Sequence, residues 1–569
     1  MRSFDSLVSI SDHSYAQSAH ARLCFPMPVP EFASAIAKAA VHAACRNAAP
    51  GARCKQNQRT GSSRASRHLL GITCLVLLAL VAFPTVGAPG NIDSSFGAFG
   101  KVSTSFGSGN DAARRVAIQP DGKIVVAGTC SNGTNTDFCV ARYSADGVLD
   151  TTFSGDGKII SVVGSGDDDV RSMAIQTDGR ILLAGACDNG ATTSFCLVRY
   201  STTGALDTSF NGNGKLLTAA GSNSSSIRGV ALQPDGKIVA GGTCDNGSGN
   251  TFCVARYGAD GALDTTFSGD GKLTTTIGAS VSYVDTVLLQ RDGKIVVTGL
   301  CYSSAAGGYS QFCLARYNVN GSLDSTFNTD GRAQAQIGNF NASAYGGAVL
   351  QPDGKIVMAG YCDPLAGPPG SMFCLARFEA NGALDTGFST DGQVFTTMGN
   401  DSSYIRSVAL QTDGKIIAAG RCQGLATADF CFARYHGTGA LDTSFNTDGR
   451  VISAIGSDDD NGFGLTVQPD GKIVVVGNCS NGSNDDFCIA RYEGGPFGAR
   501  ACSFDIDGDG KVLATTDMLI ATRIALGVTG NAVLGGVTFS ATATRDEWGT
   551  NTARDIRKFL TTQCGMVLP

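Results

Sequence analysis

Six residues near the C-terminus carry the pattern of a calcium-binding loop. Residues 505–510 read Asp-Ile-Asp-Gly-Asp-Gly, so carboxylates occupy loop positions 1, 3 and 5 and a glycine occupies position 6. Ca²⁺ prefers oxygen ligands, and the glycine lets the chain turn sharply around the cation. A simple cluster of Asp-Gly turns, as in residues 154–157, is the other interpretation. Three alternating aspartates before a helix favour calcium.

The segment from Asp505 to Gly527 resembles a dockerin type I calcium loop followed by its helix. This resemblance implies that the ligands are the side chains of Asp505, Asp507 and Asp509 and the backbone carbonyl of Lys511. The resemblance also implies Ca²⁺ as the cofactor of a C-terminal module.

The end of this loop departs from the dockerin pattern. Position 12 is Thr516, and the nearest acid, Asp517, follows one residue later. Asp517 is a ligand if the loop holds an extra residue; otherwise its charge favours the helix N-terminus. No second Asp-x-Asp-x-Asp-Gly precedes the helix predicted over residues 552–560, whereas a dockerin has two loops. The module, residues 500–569, is therefore either a partner-docking unit or a stabilising cap.

Two sets of loop side chains are candidates for a ligand-binding face. The first, the acidic set, consists of Asp111, Asp167, Asp168, Asp169, Asp458, Asp459 and Asp460. The second, the tyrosine set, consists of Tyr283, Tyr345 and Tyr404. Carboxylates coordinate cations or basic groups, or act as acid and base on a glycoside, and tyrosine rings stack on ligands. Loops rich in Ser, Asn and Asp also occur simply because they keep a protein soluble.

Composition argues against several other functions. After residue 67 the chain holds 34 Lys and Arg against 46 Asp and Glu, and an acidic surface disfavours nucleic acid. The only histidine after residue 88 is His436, which argues against a Ser-His-Asp triad or a histidine-rich metal centre. No Gly-rich phosphate loop with Lys-Ser/Thr occurs.

These candidate residues lie on a repeated scaffold. The pattern Gln-x-Asp-Gly recurs with spacings of 57, 57, 57, 61, 60 and 57 residues. Its copies begin at Gln119, Gln176, Gln233, Gln290, Gln351, Gln411 and Gln468. The pattern (Leu/Ile)-Asp-x-x-Phe recurs with its aspartate at Asp93, Asp150, Asp207, Asp264, Asp324, Asp385 and Asp442. A period this long and regular indicates a solenoid or a propeller.

Each unit contains four β-like runs separated by Asp-Gly or Asn-Gly turn signals. In the first unit they span Arg114–Gln119, Lys123–Thr129, Phe138–Tyr143 and Lys158–Val163. Four strands make one propeller blade. The stretches IQPDGKIVVAG, FCVARYSADG and LDTTFSGDGK resemble the bacterial delta-60 repeat over about residues 92–495, which implies a seven-bladed β-propeller.

The order of the strands predicts how the ring closes. If the Arg114-type strand is innermost, the first outermost strand, Lys101–Phe106, precedes the first blade and must pair with the last one. The loops that enter the innermost strands and the loops between the cysteines then share one face, acidic at blades 7, 1 and 2 and aromatic at blades 4 to 6. The aligned innermost-strand position reads Arg114, Arg171, Arg228, Asp285, Gly346, Arg406 and Phe463.

Cysteines are expected to form disulfides. Sixteen of the 20 cysteines follow residue 88, and every repeat holds two that flank its second hairpin loop. The expected pairs are Cys130 with Cys139, Cys187 with Cys196, Cys244 with Cys253, Cys301 with Cys313, Cys362 with Cys374, Cys422 with Cys431, and Cys479 with Cys488. Cys502 and Cys564 bracket the C-terminal module and are also expected to pair. Zinc is the weaker alternative, since a structural site needs four ligands.

An arginine recurs beside the apolar residues of every third strand, as at Arg142. A charge at such a position needs a partner, and the following aspartate, Asp150 in the first repeat, is the candidate. We interpret the pairs as structural staples between blades.

The N-terminal part predicts export. Residues 68–88 read as a signal peptide, with an apolar run of about 15 residues from Leu69 to Phe83. The alternative, a membrane anchor, needs roughly 20 apolar residues. Residues 1–67 have little pattern and are interpreted as a disordered extension or the product of a start codon placed too far upstream.

The sequence therefore predicts an all-β, seven-bladed propeller of four-stranded blades with a small α-helical calcium-binding module. We expect a monomeric protein, secreted to the extracellular space or periplasm, with no membrane span in the mature chain. Its expected role is non-catalytic binding or adhesion to an extracellular polymer or protein through one face of the disc. The alternative is a polysaccharide-degrading enzyme that uses the clustered aspartates.

Overall fold

The computed structural model describes residues 87–278, 281–302, 308–338, 341–363, 370–399, 401–424 and 427–495, and seven isolated residues after them. The N-terminal extension, residues 1–67, and almost all of the predicted signal peptide, residues 68–88, lie outside the described residues. So do Asp505, Asp507, Asp509, Lys511, Asp517, Cys502 and Cys564. Calcium binding and export therefore stay predictions.

The described repeats form seven antiparallel sheets arranged as the blades of a propeller. Blade 1 comprises β2 (Asp111–Ile118), β3 (Ile124–Ser131), β4 (Thr136–Tyr143) and β5 (Lys158–Ser161). Blade 2 comprises β6 (Asp168–Ile175), β7 (Ile181–Asp188), β8 (Thr193–Tyr200) and β9 (Lys215–Thr218). Blade 3 comprises β10 (Ser225–Leu232), β11 (Ile238–Asp245), β12 (Asn250–Tyr257) and β13 (Lys272–Thr275). Blade 4 comprises β14 (Ser282–Leu289), β15 (Ile295–Tyr302), β16 (Ser310–Tyr317) and β17 (Arg332–Ala335).

The first strand of blade 5 is interrupted, whereas blades 6 and 7 are regular. Blade 5 comprises β18 (Ala342–Ser343), β19 (Ala348–Leu350), β20 (Ile356–Cys362), β21 (Met372–Phe378) and β22 (Gln393–Thr396). Blade 6 comprises β23 (Ser403–Leu410), β24 (Ile416–Gln423), β25 (Ala428–Tyr435) and β26 (Arg450–Ser453). Blade 7 comprises β27 (Asp460–Val467), β28 (Ile473–Ser480), β29 (Asp485–Tyr492) and β1 (Lys101–Thr104).

The apolar core lies between blades. Strands such as β3 and β4 are buried almost throughout, because both of their faces pack against other blades. Each of the seven apolar clusters among the described residues draws its members mainly from two adjacent blades. One cluster joins Val125 and Phe138 of blade 1 to Ile181 and Tyr200 of blade 2. A single blade therefore cannot bury its own apolar faces.

The predicted ring closure is confirmed. The N-terminal strand β1 pairs with β29 in antiparallel register, from Lys101 opposite Ala490 to Thr104 opposite Phe487. The last sheet accordingly has the order β1-β29-β28-β27. Pairing of the N-terminal strand with the C-terminal blade leaves no open gap in the ring.

The seven predicted disulfides within the repeats are confirmed. Each joins the second and third strands of one blade, and the Cα–Cα separations are 5.8–5.9 Å. A closed loop of this size stabilises the fold by about 2–3 kcal/mol. So many disulfides are consistent with a secreted protein.

The repeated arginine and aspartate do form an ion pair, but the prediction that this pair bridges blades is wrong. Arg142 Nε lies 2.8 Å from Asp150 Oδ2, eight residues later within the same repeat. The link between blades runs from Arg142 Nη1 to the carbonyl oxygen of Thr202 in blade 2. The guanidinium also lies over the ring of Phe153, 4.4 Å from its centroid. The charge is thus neutralised within its blade, and the remaining donor holds the next blade.

The arginines of the other six repeats make the same contacts with their aspartates and with the following blade. These are Arg199, Arg256, Arg316, Arg377, Arg434 and Arg491. In the last of them the partner is Asp93, 398 residues away, so this pair fastens the N-terminal segment to blade 7. Over the part of the chain that is described, no helix is both long and apolar enough to cross a membrane.

Candidate functional site

The innermost strand of each regular blade contains a β-bulge. In blade 1 the register jumps from Ala113 opposite Gly128 to Arg115 opposite Ala127, so Arg114 is the extra residue. A bulge bends the strand and re-aims side chains, and its backbone crowds the facing strand. A Cβ on Gly128 would overlap the carbonyl oxygen of Ala112, which explains a glycine at this register. The bulged residues of the other regular blades are Arg171, Arg228, Asp285, Arg406 and Phe463.

Blade 5 carries one more residue at this place than the other blades. Its register passes from Ser343 opposite Tyr361 to Ala348 opposite Met358, which leaves two extra residues instead of one. A Cβ on Gly346 would lie 2.6 Å from Ile405, and Gly347 has a φ of 84°, so both positions require glycine. Blade 5 therefore offers no long side chain at the arginine position.

The bulges surround a cavity of about 340 Å³ near the propeller axis, which we call the axial pocket. Its lining consists of Arg114, Arg115, Val170, Arg171, Arg228, Asp285, Tyr345, Arg406 and Phe463. The six bulged residues of the regular blades all belong to it. The chain thus brings one side chain from almost every blade to a common centre.

Positive charge dominates the axial pocket. Five guanidinium groups face two carboxylates, those of Asp285 and of Asp169, which is ion-paired with Arg171. Burial, together with the charges of the nearby arginines, lowers the pKa of Arg171 to about 10, and Asp169 opposes this shift. Arg114 lies over the ring of Phe463, 4.3 Å from its centroid, and its buried Nε has no hydrogen-bond partner.

Tyrosines lie beside this pocket. Tyr361 contacts Tyr404 edge to face at 4.8 Å between centroids and lies 6.5 Å from Tyr345. Arg228 lies 5.9 Å from the Tyr345 ring, and Arg406 lies 5.7 Å from the Tyr404 ring. All three rings are half-buried. Tyr345, Tyr361 and Tyr404 are called the tyrosine cluster below.

The tyrosine cluster lies toward the predicted ligand face, which we call the loop face. The cysteine loop of one blade contacts the loop that enters the next innermost strand, as where Asn135 Nδ2 donates to the carbonyl of Gly166 at 2.6 Å. The two loop types therefore share a face, as predicted. Tyr404 is the second residue of β23, two residues nearer to this face than Arg406. Tyr283 holds the matching position in blade 4 and accepts a hydrogen bond from Asn250.

The acidic set divides into two groups of different environment. Asp111, Asp168 and Asp460 have no solvent exposure. Each accepts a backbone N–H from the end of its own entering segment, as from Phe106 at 2.8 Å to Asp111. These three carboxylates therefore hold loops and face no solvent.

The remaining acidic residues lie in different surroundings. Asp167, Asp458 and Asp459 are exposed, and Asp169 is half-buried beside Arg171. Asp167 accepts the N–H of Thr136 at 2.9 Å, and Asp459 accepts that of Ala428 at 2.8 Å, both from the preceding blade. These carboxylates therefore also tie neighbouring loops together.

The buried aspartates occur in pairs across blade interfaces. Asp111, Asp168 and Asp460 lie near a second carboxylate of the preceding blade. These partners are Asp486, Asp137 and Asp429. At the matching register the other blades hold Ser194, Thr251, Gln311 and Met372. Paired acids thus occur at three consecutive interfaces, and the four other interfaces lack both.

Stability should depend on the protonation of Asp111. Burial, with a smaller contribution from the nearby charge of Asp486, raises the pKa of Asp111 to about 6. A raised folded-state pKa stabilises the fold below pH 4, and this contribution is lost as the pH rises toward 6. The loss is at most about 3 kcal/mol. It should be absent in the variant Asp111→Ser, because serine does not titrate in this range. Blades 3, 4 and 6 hold a serine at the same register. Urea unfolding at pH 4, 5 and 6 measures the loss; parallel pH profiles for both proteins would contradict the assignment.

Sequence reasoning missed two residues of the site. Arg115 follows the aligned arginine and enters the pocket because of the bulge, whose associated sequence signal is the glycine that faces it, Gly128 in blade 1. Tyr361 lies just before the first cysteine of its repeat, where the other blades hold Thr129, Ala186, Thr243, Leu300, Arg421 and Asn478. Because this repeat position varies between blades, the sequence could have indicated Tyr361 as a candidate ligand-binding residue.

Comparison with known proteins supports the repeat assignment. Seven segments match the family model of DUF5122, described as a β-propeller domain of unknown function. The matched residues are 119–153, 176–210, 233–267, 290–327, 351–388, 411–445 and 468–494. No curated protein matches the chain in sequence.

Several solved structures resemble the chain. A virginiamycin B lyase from Staphylococcus aureus is 11% identical, with a TM-score of 0.41 over 68% of this chain and 98% of that one. A Dyadobacter fermentans protein of unknown function is 12% identical, with a TM-score of 0.40 over 69% and 97%. An ulvan lyase is 10% identical, with a TM-score of 0.42 over 69% and 96%. These likenesses carry no argument about function. The seven repeats of this β-propeller thus match DUF5122, one to each blade.

Proposed function

We propose that this chain is a secreted, non-catalytic binding propeller that recognises an extracellular polymer or protein through its loop face. The observation that carries the proposal is the tyrosine cluster, three half-buried rings beside an axial pocket of arginines. Aromatic rings with one accessible side provide contact area at little entropic cost. The blades that carry the cluster, 5 and 6, are adjacent, so one ligand can reach all three rings.

The asymmetry of the ring supports this location. Contacts repeated in every blade, such as the pair of Arg142 and Asp150, meet a demand that every blade has. A unique ligand must be recognised where the blades differ. The tyrosine cluster and the extra residue beside Tyr345 occur in blades 5 and 6 only.

The catalytic alternative has less support among the described residues. A general acid or base must reach the substrate. Three of the seven acidic candidates have no exposure and accept backbone hydrogen bonds. Asp169 is paired with Arg171. The exposed candidates, Asp167, Asp458 and Asp459, lie on loops of blades 2 and 7.

The test compares the secreted full chain with a variant that carries Tyr345→Ala, Tyr361→Ala and Tyr404→Ala. On a glycan array the wild type is expected to bind at least one polysaccharide, and the triple variant is expected to bind it at least tenfold more weakly. Tenfold corresponds to about 1.4 kcal/mol, within the energy of a few stacking contacts. A reducing-end assay on the bound polysaccharide is expected to show no cleavage.

The control is Phe99→Ala, since Phe99 is an aromatic residue with 84% exposure outside the cluster. Binding by this variant should equal that of the wild type. Equal binding by the triple variant, with melting temperatures that show all proteins folded, would refute the assignment of the site. Release of reducing ends would instead establish the catalytic alternative.

A further inference from the structure

We propose that the axial pocket is a binding site for an oxyanion, namely a sulfate, phosphate or carboxylate group. The inference deepens the proposed function, because it names the charge class of the ligand. It rests on the residues that line the pocket and on the bulges that direct them there.

The first argument is charge. Arg114, Arg115, Arg171, Arg228 and Arg406 line one cavity, and the carboxylates of Asp169 and Asp285 neutralise two of these five charges. Burial lowers the pKa values of Arg114 and Arg171, and repulsion from neighbouring arginine charges lowers them further, while Asp169 opposes the shift. An anion in the cavity would relieve this repulsion. A cation or a neutral apolar ligand would not.

The second argument is the availability of donors. Each guanidinium is a planar fork that can donate two parallel hydrogen bonds to an oxyanion. The buried Nε of Arg114 has no partner. The arginine side chains in the pocket also differ from the structural arginines such as Arg142, which binds a carboxylate, a hydroxyl and a carbonyl at once. Arg115 donates one bond to the carbonyl of Arg114, and Arg171 is paired with Asp169, whereas Arg114 retains a donor for a ligand.

The third argument is that the fold is built to place these side chains. Six blades each place a bulge at the same register, and the bulged residue is an arginine in four of them. Asp285 and Phe463 occupy the other two, and Phe463 carries the guanidinium of Arg114 on its ring. Four half-buried like charges that face one cavity do not stabilise a ring by themselves.

The size of the cavity suits a small anionic group. At about 340 Å³ it lies at the lower end of the roughly 300–1,000 Å³ typical of ligand sites. Tyr345 belongs to both the pocket lining and the tyrosine cluster. A polymer that lies on the cluster would thus have one charged substituent within reach of Arg228 and Arg406.

The test uses isothermal titration calorimetry on the secreted full chain with sodium sulfate, sodium phosphate and sodium D-glucuronate as separate probes. Sodium chloride at matched ionic strength is the reference for screening. We expect saturable binding of at least one probe. The double variant Arg228→Gln/Arg406→Gln should bind that probe at least tenfold more weakly. The preferred probe identifies the oxyanion as tetrahedral or carboxylate.

Two further variants keep the result interpretable. Arg291→Gln removes an exposed arginine of a hairpin turn and should leave the affinity unchanged. Asp285→Asn removes a competing carboxylate from the pocket and should tighten anion binding severalfold, which loss of folding cannot mimic. The proposal is overturned if no probe binds beyond the chloride reference, or if the double arginine variant binds as the wild type does.

The two proposals fail separately. If the anion binds but the triple tyrosine variant keeps its polymer affinity, the proposed function fails and the oxyanion site stands. If the tyrosine variant loses polymer binding and no anion binds to the wild type, the oxyanion site alone is wrong.

Discussion

Alanine in place of Asp93 is expected to lower the free energy of unfolding by about 3–5 kcal/mol, because it leaves Arg491 buried without its carboxylate. Asp93 Oδ2 lies 2.7 Å from Arg491 Nε and 2.6 Å from Lys472 Nζ. Arg491 and the segment before β1 are the covalently most distant parts of the ring, and this pair holds them together. The side chain of Asp93 is 5% exposed, so solvent screens the pair little.

The matched control is Asp442→Ala, which breaks the equivalent pair with Arg434, at 2.8 Å, inside one repeat. Both variants leave a buried arginine unpaired, but only Asp93→Ala releases an end of the chain. Urea unfolding should therefore show the larger loss for Asp93→Ala, and trypsin should cleave its residues 87–104 faster. Equal losses together with equal cleavage rates would show that β1 closes the ring without help from this pair.

Alanine in place of Gly128 is expected to lower the free energy of unfolding by about 3 kcal/mol or more. Extra methylene groups in a packed core usually cost about 1–3 kcal/mol, so this loss is at or above that range. The added Cβ would overlap the carbonyl oxygen of Ala112 across the bulge, and a backbone atom cannot rotate away as a side chain can. The strand β2 must shift instead, which also moves Arg114. We expect a lower melting temperature and weaker anion binding together.

The control for Gly128→Ala is Gly107→Ala. A Cβ on Gly107 would have its nearest neighbour, the carbonyl oxygen of Ser131, 4.0 Å away, which is ordinary contact. Its melting temperature should match that of the wild type. If Gly128→Ala melts at the wild-type temperature, the bulge is more adaptable than its repetition in six blades implies.

The scaffold could be predicted because it is repeated. The repeat spacing predicts the number of blades, the strand order predicts the ring closure, and the cysteine positions predict the seven disulfides. Each of these patterns recurs in every unit, so one copy supports the interpretation of the others. The exact position of the β-bulge could not be predicted in this way, although a glycine faces it, as Gly128 does in blade 1. It depends on how two strands pair, and it decides that Arg115 reaches the pocket.

The acidic set was harder to interpret for the same reason. Asp167, Asp168 and Asp169 are chemically identical neighbours, yet they are exposed, buried and half-buried in turn. Side chains alternate along a strand, so the residue at which pairing begins decides which of them is buried. The sequence does not mark that residue. The number of aspartates in the sequence is therefore larger than the number of carboxylates that a ligand can reach.

The link from each Arg142-type side chain to a carbonyl about 60 residues later has a consequence for biosynthesis. A chain that leaves the ribosome or crosses a membrane from its N-terminus exposes β1 first, and the partner of β1 is the last repeat to emerge. Until then the most recently completed blade lacks the carbonyl and the apolar surface that its successor provides. An interrupted or prematurely terminated chain thus presents unpaired strands at both ends, which makes it a natural target for chaperones and proteases. The whole of residues 92–495 must therefore emerge before the first of them can reach their final position.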